Sequence, residues 1–303
     1  MLIILYGDFS KSKNQKQQAM IDGRATCGYR EYARKFGHIV YLSPQDVSLP
    51  WEHSITKAKN VLKFISKYPK SIIWSVKHSS SKDEMILSKI KNKKVYYSCN
   101  SKNMYNKYCD ISLVDTPKRV KKNGRLWFKG KDPDYWMPKK PKKEYDYLLI
   151  GKRADKNEIY FLRRLNDIQE KRRILWIGGK KHEKRAKSKH DLVCTEFITQ
   201  EKVKDLIPMA KVGVLFTELK VEGFPQTFLE MTMCGVPVVY NEKGPGNKFY
   251  FHNDNCILCS KGELINSAEK LLKIFDAVKC RRTAIQNYSI DKSYKRMRKC
   301  LKL

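Results

Sequence analysis

The stretch Val221-Glu222-Gly223-Phe224-Pro225-Gln226-Thr227-Phe228-Leu229-Glu230 decides the fold. A Gly/Pro loop leads into a predicted helix near Gln226–Met233, and an apolar strand, Val236–Tyr240, follows. The strand Val212–Phe216 precedes the loop. Strand, loop, helix and strand in this order are typical of a parallel α/β sheet, in which the loops at the carboxyl edge bind ligands.

Two carboxylates frame this loop and helix, Glu222 at the loop and Glu230 two turns along the helix. The backbone N–H groups of the loop and of the helix N-terminus suit a hydroxylated or anionic ligand. Glu222 could face such a ligand, and Glu230 could accept hydrogen bonds from a vicinal diol, each worth roughly 1.5–3 kcal/mol. Taken as two isolated acids, one capping acid and one exposed acid would be the simpler interpretation.

The same alternation of strands and helices extends over the whole chain. A Pro- and Lys-rich segment at 133–143 interrupts it, after which it restarts, so we predict two Rossmann-like domains joined at about residue 140. The other predicted strands are Leu2–Tyr6, His38–Leu42, Ser71–Trp74, Lys94–Tyr97, Ile111–Val114, Tyr147–Ile150, Ile174–Ile177 and Val193–Phe197. The other predicted helices are Gly28–Phe36, Ile55–Ile65, Lys82–Ile90, Glu158–Glu170, Gln200–Ile207, Glu263–Phe275 and Asp291–Leu301.

Charge is the most unusual property of the composition. The 303 residues include 63 Lys and Arg against 31 Asp and Glu, a net charge of +32, while 41% of residues are hydrophobic. This composition excludes a disordered tail protein and points to an acidic partner. Residues 1–143 carry +20 and residues 144–303 carry +12, so the partner is expected at the first half. Lysines on a solvated surface, from a Lys-rich proteome, are the alternative.

Nine cysteines are scattered along the chain without the spacing of a disulfide framework, which favours reduced thiols in a cytosolic protein. Cys256 and Cys259 form a C-x2-C pair, but a zinc knuckle needs a second such pair. Apolar residues between them indicate a buried strand instead. No run approaches the roughly 18 apolar residues of a membrane span, so we expect a cytoplasmic protein, in the host cytoplasm if viral, that is soluble or peripherally membrane-associated.

The Glu222-x7-Glu230 pair, with Gly223-Phe224-Pro225 and the trailing Cys234–Val239, resembles the E-x7-E signature of retaining GT-B glycosyltransferases, family 4 in particular. Gly151-Lys152-Arg153-x2-Lys156 resembles the G-R-x-x-x-K phosphate-binding turn of that family, and Ile177-Gly178-Gly179 its next strand end. Phe128–Pro138 resembles its interdomain segment, and Asn287–Leu301 resembles its closing helix.

The resemblance implies a GT-B fold, in which two Rossmann-like domains with parallel sheets face a central cleft and a C-terminal helix crosses back to the first domain. We therefore expect an acceptor-binding domain at 1–140, a nucleotide-sugar-binding domain at 141–285 and a crossover helix at 286–303. The activity implied is retaining transfer of a hexose or pentose from a nucleoside-diphosphate sugar, in particular a UDP-sugar, with no required cofactor and no bound metal.

By the same resemblance, Glu230 holds the ribose hydroxyls, and Glu222 with the backbone of Gly223 and Phe224 holds the sugar. Lys152 or Arg153, with Lys156, neutralises the diphosphate, whose negative charge grows as the glycosidic bond breaks. The sequence has Lys152 where the family has Arg, so which of the two contacts phosphate is open. The remaining donor-binding candidates are Gly151, Gly178, Pro225 and Thr227. Asp132-Pro133-Asp134 imitates a metal-binding D-x-D, but its place in the linker favours a turn.

On the acceptor side, His78 and Asp8 are candidate bases, because each follows a predicted strand of the first domain. Retention in the family is usually attributed to front-face attack in which the leaving phosphate takes the proton, so a protein base is not obligatory. The acceptor-binding candidates are Gly7, Lys118, Arg119, Lys121, Lys122 and Trp127.

Two acceptor classes explain the basic first half. The first is double-stranded DNA carrying a hydroxymethylated pyrimidine, as for some bacteriophage enzymes, with basic residues on the phosphates and aromatic residues stacking on bases. The aromatic candidates are Tyr96, Tyr97, Tyr105, Tyr108, Trp127, Tyr135 and Trp136. The second is an anionic membrane surface with a lipid or polysaccharide acceptor. A non-catalytic nucleic-acid-binding protein on the same scaffold is a third hypothesis, and no obligate protein partner is inferred.

Overall fold

A computed structural model describes most of the chain. The described residues are 2–6, 31–32, 35, 39–43, 52–54, 58–76, 81–97, 107–114, 120–121, 123–138, 142–151, 154, 157–196, 198–218, 225–243 and 253–302. The chain divides into two compact units, one made of Met1–Lys129 and Ser293–Leu303 and the other of Gly130–Lys292. The sequence predicted the boundaries at residues 140/141 and 285/286, whereas this division falls at 129/130 and 292/293.

The first unit contains a seven-stranded sheet in which every pairing is parallel. Its strands, in the spatial order β3-β2-β1-β4-β5-β6-β7, reverse direction of winding between β1 and β4. The elements are β1 Leu2–Tyr6, β2 Ile39–Ser43, β3 Glu52–Ser54, α1 Ala58–Ser66, β4 Ile72–Val76, α2 Ser81–Lys89, β5 Lys94–Tyr97, β6 Ile111–Val114 and β7 Gly124–Leu126. Glu31, Tyr32 and Lys35 are also helical.

Helices α1 and α2 of this unit bury apolar residues against the sheet. Val61 and Ile65, one turn apart in α1, and Ile86 and Leu87 in α2 pack with Ile73 of the central strand β4. The spacing of four residues places Val61 and Ile65 on one face of the helix. This burial on a helix face explains why periodicity in the sequence located both elements.

Trp127, just after β7, lies at the centre of this unit rather than on its surface. Its side chain is completely buried, its ring lies edge-on to Trp74 and Tyr97 at centroid distances of 5.3 and 5.2 Å, and its indole N–H donates to the Ser293 carbonyl at 2.9 Å. Tyr96, Tyr97 and Trp136 are also fully buried. The expectation that these four aromatic residues stack on bases is therefore wrong, because each is enclosed by the protein core.

The second unit contains a six-stranded, wholly parallel sheet with the strand order β10-β9-β8-β11-β12-β13. Its direction of winding reverses between β8 and β11. The elements are β8 Tyr145–Ile150, α3 Glu158–Leu165, β9 Arg173–Ile177, α4 Glu183–Ala186, β10 Asp191–Cys194, α5 Gln200–Leu206, β11 Ala210–Leu215, α6 Gln226–Met233, β12 Val238–Asn241, β13 Cys256–Cys259, α7 Leu264–Ile274, α8 Ala277–Tyr288 and α9 Ile290–Leu301. Of α9, residues 293–301 belong to the first unit.

Several predicted boundaries needed correction. The predicted helix Glu158–Glu170 ends at Leu165, because Asn166 turns its side chain to the Lys187 carbonyl and to the Lys189 N–H. The predicted strand Val193–Phe197 lies at Asp191–Cys194 instead. Strands β3 and β7 and helices α4 and α8 were not predicted; β3 and β7 have only three residues each, and α4 has four. Cys256–Cys259 is a strand, as predicted, with both cysteines buried.

A charged network fixes helix α7 to the sheet of the second unit. The Arg172 guanidinium donates to both oxygens of Glu269, at 3.0 and 2.6 Å, and the Tyr147 hydroxyl donates to Glu269 at 2.7 Å. Partial burial raises the pKa of Glu269, but the hydrogen bonds from Arg172 and Tyr147 outweigh it, so the pKa lies below its usual value. Ionised Glu269 therefore stabilises the folded unit.

We expect Glu269→Gln to lower the free energy of unfolding by about 1–3 kcal/mol at pH 7. Because the folded-state pKa is depressed, this contribution is present above the unfolded-state pKa of about 4.3 and is lost as pH falls through the folded-state value. Urea denaturation should therefore show a smaller difference between wild type and variant at pH 3 than at pH 7. Glu183→Gln, in an exposed pair with Lys180, is the control and should change stability by less than about 0.5 kcal/mol. An equal loss for both variants would contradict the prediction.

Candidate functional site

The reversal of winding between β8 and β11 defines the candidate site of the second unit. At such a reversal the loops after the two strands run in opposite directions and leave a crevice at the carboxyl edge. Gly151 follows β8, and Phe216-Thr217-Glu218 follows β11. The Asn157 amide N–H donates to the Phe216 carbonyl at 3.1 Å and to the Glu218 carboxylate at 3.0 Å, which ties the two loops together.

The turn predicted to bind phosphate is anchored at both ends. Gly151 donates its N–H to the Ile177 carbonyl at 3.1 Å and accepts from the Trp176 indole at 3.1 Å. A Cβ at Gly151 would overlap the Glu158 carboxylate, so a larger residue at this position would require the Glu158 side chain to move. Asn157, in the left-handed conformation, begins α3 at the other end. Lys152, Arg153 and Lys156 lie between these anchors and outside the described residues.

In addition to the hydrogen bond from the neutral Asn157 amide, the Glu218 carboxylate makes an ion pair with the Lys261 ammonium at 3.0 Å. The hydrogen bonds from Asn157 and Lys261 lower the pKa of Glu218, which is thereby held ionised. On the neighbouring strand β12, the Asn241 amide donates to the Thr217 carbonyl at 2.9 Å. Side chains from three strand ends therefore fix the loop after β11.

Helix α6 has the bounds that the sequence predicted, and two residues set them. Pro225 occupies the N-cap with φ −72°, and Gly235 ends the helix with φ +73°, a conformation that favours glycine. A Cβ at Gly235 would also lie 2.7 Å from the Ala277 carbonyl oxygen. The Gln226 amide and Thr227 hydroxyl, at the first turn of α6, have buried atoms that make no hydrogen bond to any described residue.

Glu230 projects from the middle of α6 into a buried ion pair. The Lys131 ammonium lies 3.1 Å from Glu230 Oε1, and the side chains of Lys131 and Glu230 are 1% and 2% exposed. The same ammonium lies 5.0 Å from the centroid of the Trp136 ring. Lys131 was not among the residues singled out from the sequence, because the contact joins positions 99 residues apart.

Burial and nearby charges also act on Cys234, one turn after Glu230. Burial raises the pKa of the Cys234 thiol to about 12, and the positive charge of Arg281 opposes that rise only in part. The Arg281 guanidinium donates to the carbonyls of Met233 and Pro133 at the end of α6 and in the linker. Cys234 is therefore a neutral packing residue, and Arg281 caps the helix.

The predicted site residues divide into those that the structure describes and those outside the described ranges. Gly151, Gly178, Pro225, Thr227 and Glu230 all lie in the second unit, at strand ends or on α6. Gly178, with φ +83°, ends β9 and donates its N–H to the Thr195 hydroxyl at 3.2 Å. Lys121 is exposed and Trp127 is in the core of the first unit. The residues outside the described ranges are Gly7, Asp8, His78, Lys118, Arg119, Lys122, Lys152, Arg153, Lys156, Glu222, Gly223 and Phe224.

No group of three or more His, Cys, Asp or Glu side chains suited to a metal ion occurs among the residues described. Asp132-Pro133-Asp134 forms a turn in which the Asp132 carboxylate accepts from the Asp134 N–H at 3.2 Å. Among the described residues, no helix has both the length and the apolar character required to cross a membrane.

A known protein family matches part of the second unit, whereas solved structures match the whole chain. A family model described as glycosyl transferases group 1 matches residues 144–277, the part that contains the site. No curated protein matches the chain.

Solved structures match over both units. HepE from Anabaena in complex with UDP-glucose is 12% identical, with a TM-score of 0.69 over 100% of this chain and 99% of that one. The fold is GT-B. Sucrose-phosphate synthase from Thermosynechococcus elongatus is 13% identical, covers 99% and 98% of the two chains and has a TM-score of 0.63. The lipopolysaccharide outer core galactosyltransferase WaaB is 11% identical, covers 99% of each chain and has a TM-score of 0.62.

The buried pair in this GT-B chain allows a double-substitution test. We expect Lys131→Met to lower the free energy of unfolding by about 3–5 kcal/mol, because it leaves the Glu230 carboxylate buried without its cation. Lys131→Met combined with Glu230→Leu removes both charges and should recover most of that loss. Chemical denaturation of wild type, both single variants and the double variant measures the coupling. Additive losses would show that the two side chains do not stabilise each other.

Proposed function

We propose that this protein is a retaining glycosyltransferase that moves a sugar from a nucleoside-diphosphate sugar, a UDP-sugar, to an acceptor hydroxyl. The observation that carries the proposal is Glu230, a buried carboxylate on α6, the helix that follows β11 in a parallel sheet whose winding reverses between β8 and β11. The match of residues 144–277 to glycosyl transferases group 1 supports it. So does the similarity to Anabaena HepE, whose structures contain UDP, UDP with glucose, and UDP-glucose.

In the proposed reaction the acceptor oxygen forms a bond to the anomeric carbon on the face from which the diphosphate leaves. The bond between that carbon and the phosphate oxygen breaks, and the nucleoside diphosphate departs with the electron pair. The acceptor proton passes to the leaving phosphate oxygen, so that atoms and charges balance without a protein base. Asp8 and His78 are the alternative bases, and the transfer of a hexose or a pentose fits the scheme equally.

The proposed donor contacts follow the resemblance residue by residue. Glu230 accepts hydrogen bonds from the ribose hydroxyls, and Glu222 with Gly223 and Phe224 holds the sugar. Lys152 or Arg153, together with Lys156, neutralises the diphosphate, and the anchoring of this turn at Gly151 and Asn157 supports that role. Fixed cations beside a leaving diphosphate stabilise the transition state.

We expect the wild-type protein to bind UDP and to release it from a pool of UDP-sugars when an acceptor is present. Glu230→Gln should weaken UDP binding by about 10-fold or more, because a neutral amide makes weaker hydrogen bonds to the ribose than a carboxylate does. Isothermal titration calorimetry measures the affinity, and the coupling constant of the anomeric proton in the product shows whether configuration is retained.

The matched control is Glu263→Gln, which alters an exposed acid bonded to Ser260 and should leave UDP affinity unchanged. A wild-type protein that binds no nucleoside diphosphate would disprove the donor assignment. An inverted product would disprove retention alone.

For the acceptor we propose double-stranded DNA that carries a hydroxymethylated pyrimidine. The net charge of +32 supports an anionic partner, and helix α9 provides a described surface for it. Ile290, Ser293, Met297 and Leu301 of α9 are buried, so the apolar face of this helix is occupied. Its outer face carries the exposed cations Lys292, Lys295, Arg296, Arg298 and Lys299.

The outer face of α9 has no exposed large apolar residue. Stable insertion into a membrane interface requires such residues, whereas binding to phosphates, in DNA or in anionic lipid headgroups, requires only cations. This contrast favours DNA over a membrane into which α9 inserts. The similarity to WaaB, a lipopolysaccharide outer core galactosyltransferase, favours the second candidate, a lipid or polysaccharide acceptor at an anionic surface.

Mass spectrometry of nucleosides decides between these acceptors. We expect a hexose or pentose mass to be added to hydroxymethylcytosine or hydroxymethyluracil in DNA incubated with the protein and pooled nucleotide sugars, and no product in a parallel anionic-lipid extract. UDP release with unmodified DNA and a labelled lipid or glycan would replace DNA by the second candidate. DNA binding without turnover of any donor would favour a non-catalytic binding protein.

The role of α9 is tested by neutralising Lys292, Lys295, Arg298 and Lys299 to Gln. DNA affinity should fall, and the slope of log affinity against log salt should decrease by up to about 0.9 for each lost phosphate contact. The control removes the same charge from exposed positions of the second unit, Lys184, Lys202, Lys270 and Lys273. Equal effects in both variants would show that the net charge, and not α9, determines binding.

A further inference from the structure

Lys131 contacts Glu230, the residue proposed to bind the ribose. Main-chain hydrogen bonds hold Lys131 in place. Its N–H donates to the Tyr288 carbonyl at 3.0 Å, and its carbonyl accepts from the Ile290 N–H at 2.8 Å. At the preceding residue, a Cβ on Gly130 would lie within 2.7 Å of the backbone of Ser289 and Ile290, so the two segments are packed backbone to backbone. The Cα of Lys131 therefore has little freedom to move.

The lysine side chain is fixed as well. It is buried, its ammonium lies 3.1 Å from Glu230 Oε1, and the completely buried Trp136 ring lies 5.0 Å from the ammonium. A cation over an aromatic face is attracted by the ring quadrupole, more strongly where water is excluded. The backbone N–H of Trp136 donates to the Asp132 carbonyl at 3.0 Å, which helps to position the residue. The linker segment 131–136 thus holds the Lys131 ammonium in a fixed position beside Glu230 Oε1.

The Glu230 carboxylate, unlike the Lys131 ammonium, is not fixed by the contacts of its own segment. The helix fixes its Cα, but three side-chain torsions separate that atom from the carboxylate oxygens, and a lone buried carboxylate is costly because it has lost its water. A fixed cation on Oε1 restricts the rotation of the carboxylate and compensates its charge. Both effects are required of a group that has to accept hydrogen bonds from a ribose diol.

We propose that Lys131 is a positioning residue for the nucleotide-sugar donor, which orients the Glu230 carboxylate toward the ribose and keeps its charge compensated in a dry site. The inference rests on the proposed function and goes beyond it, since it assigns to the interdomain segment a part in recognising ribose. Lys131 acts through Glu230 and does not itself touch the donor.

The test compares UDP with 2′-deoxy-UDP, which lacks one of the two ribose hydroxyls. The ratio of their dissociation constants reports the ribose contact and cancels the contributions of base and diphosphate. We expect a ratio of about 10 or more for the wild type and a ratio near one for Glu230→Gln. Lys131→Met should also bring the ratio close to one, although Glu230 is intact.

The matched control is Lys143→Met. Lys143 is another lysine of the linker region whose ammonium is bound, at 2.7 Å, but to the Ala210 carbonyl and not to a carboxylate. Its removal should cost stability and leave the ribose ratio unchanged. Lys131→Gln, whose amide can still donate to Oε1, gives an intermediate ratio and serves as the test variant if Lys131→Met does not fold.

The outcomes distinguish failure of the positioning role of Lys131 from failure of the proposed glycosyltransferase function. If the wild type binds UDP with a ratio of 10 and both Lys131 variants keep that ratio, Lys131 does not position Glu230, while the glycosyltransferase proposal stands. If the wild type binds UDP but does not distinguish 2′-deoxy-UDP, the ribose role of Glu230 is wrong and the inference falls with it. If the wild type binds neither ligand, the donor assignment itself fails.

Discussion

The contacts of a single residue, Lys131, connect three segments of the second unit. Its backbone bonds to both sides of Ser289, and its side chain neutralises Glu230 in the middle of α6. The chain passes between the two units at 129/130 and again at 292/293, close in sequence to these two bonded segments. A buried ammonium lowers the stability of the fold unless it is paired. Here the ion pair and the backbone hydrogen bonds of Lys131 together connect the linker, the start of α9 and helix α6, which carries the residue proposed to bind the donor. Loss of this pair would therefore affect fold and site together.

Topology provides the rest of the site. Six parallel strands whose winding reverses between β8 and β11 leave a crevice at the carboxyl edge, whatever the side chains are. The sequence adds the groups that prevent the loops around this crevice from moving apart: Asn157 bonds across from one loop to the other, and Asn241 holds the second loop to β12. Asn157 and Asn241 are amide side chains and add no charge themselves, and the third anchor of the loop, the Glu218–Lys261 ion pair, adds charges that cancel.

The features that depend on local sequence were predictable, and those that depend on distant contacts were not. Helix α6 was predicted near its observed bounds, and Pro225 and Gly235 set those bounds by their own backbone preferences. The three-residue strands β3 and β7 are too short to show a period, and they exist because neighbouring strands offer hydrogen-bonding partners. Trp127 among lysines looked like a surface aromatic residue, but sequence does not show that Trp74, Tyr97 and Ser293 surround it. The role of Lys131 was likewise not visible in the sequence, because lysine is common in this region and its partner Glu230 is distant along the chain.

Most of the lysines among the described residues are exposed, and this distribution has a consequence for specificity. On α9 the apolar residues are buried and the cations face outward, so this surface attracts phosphates without distinguishing between them. Charge of this kind raises the rate of encounter and the affinity for any polyanion, and both fall as salt rises. It cannot select one hydroxyl on a polymer. In the proposed reaction, selection must therefore come from the groups that meet the reacting hydroxyl and from the geometry of the bound sugar. The proposed placement of the donor by Glu230, with Lys131 positioning its carboxylate, is then a condition for specificity as well as for affinity.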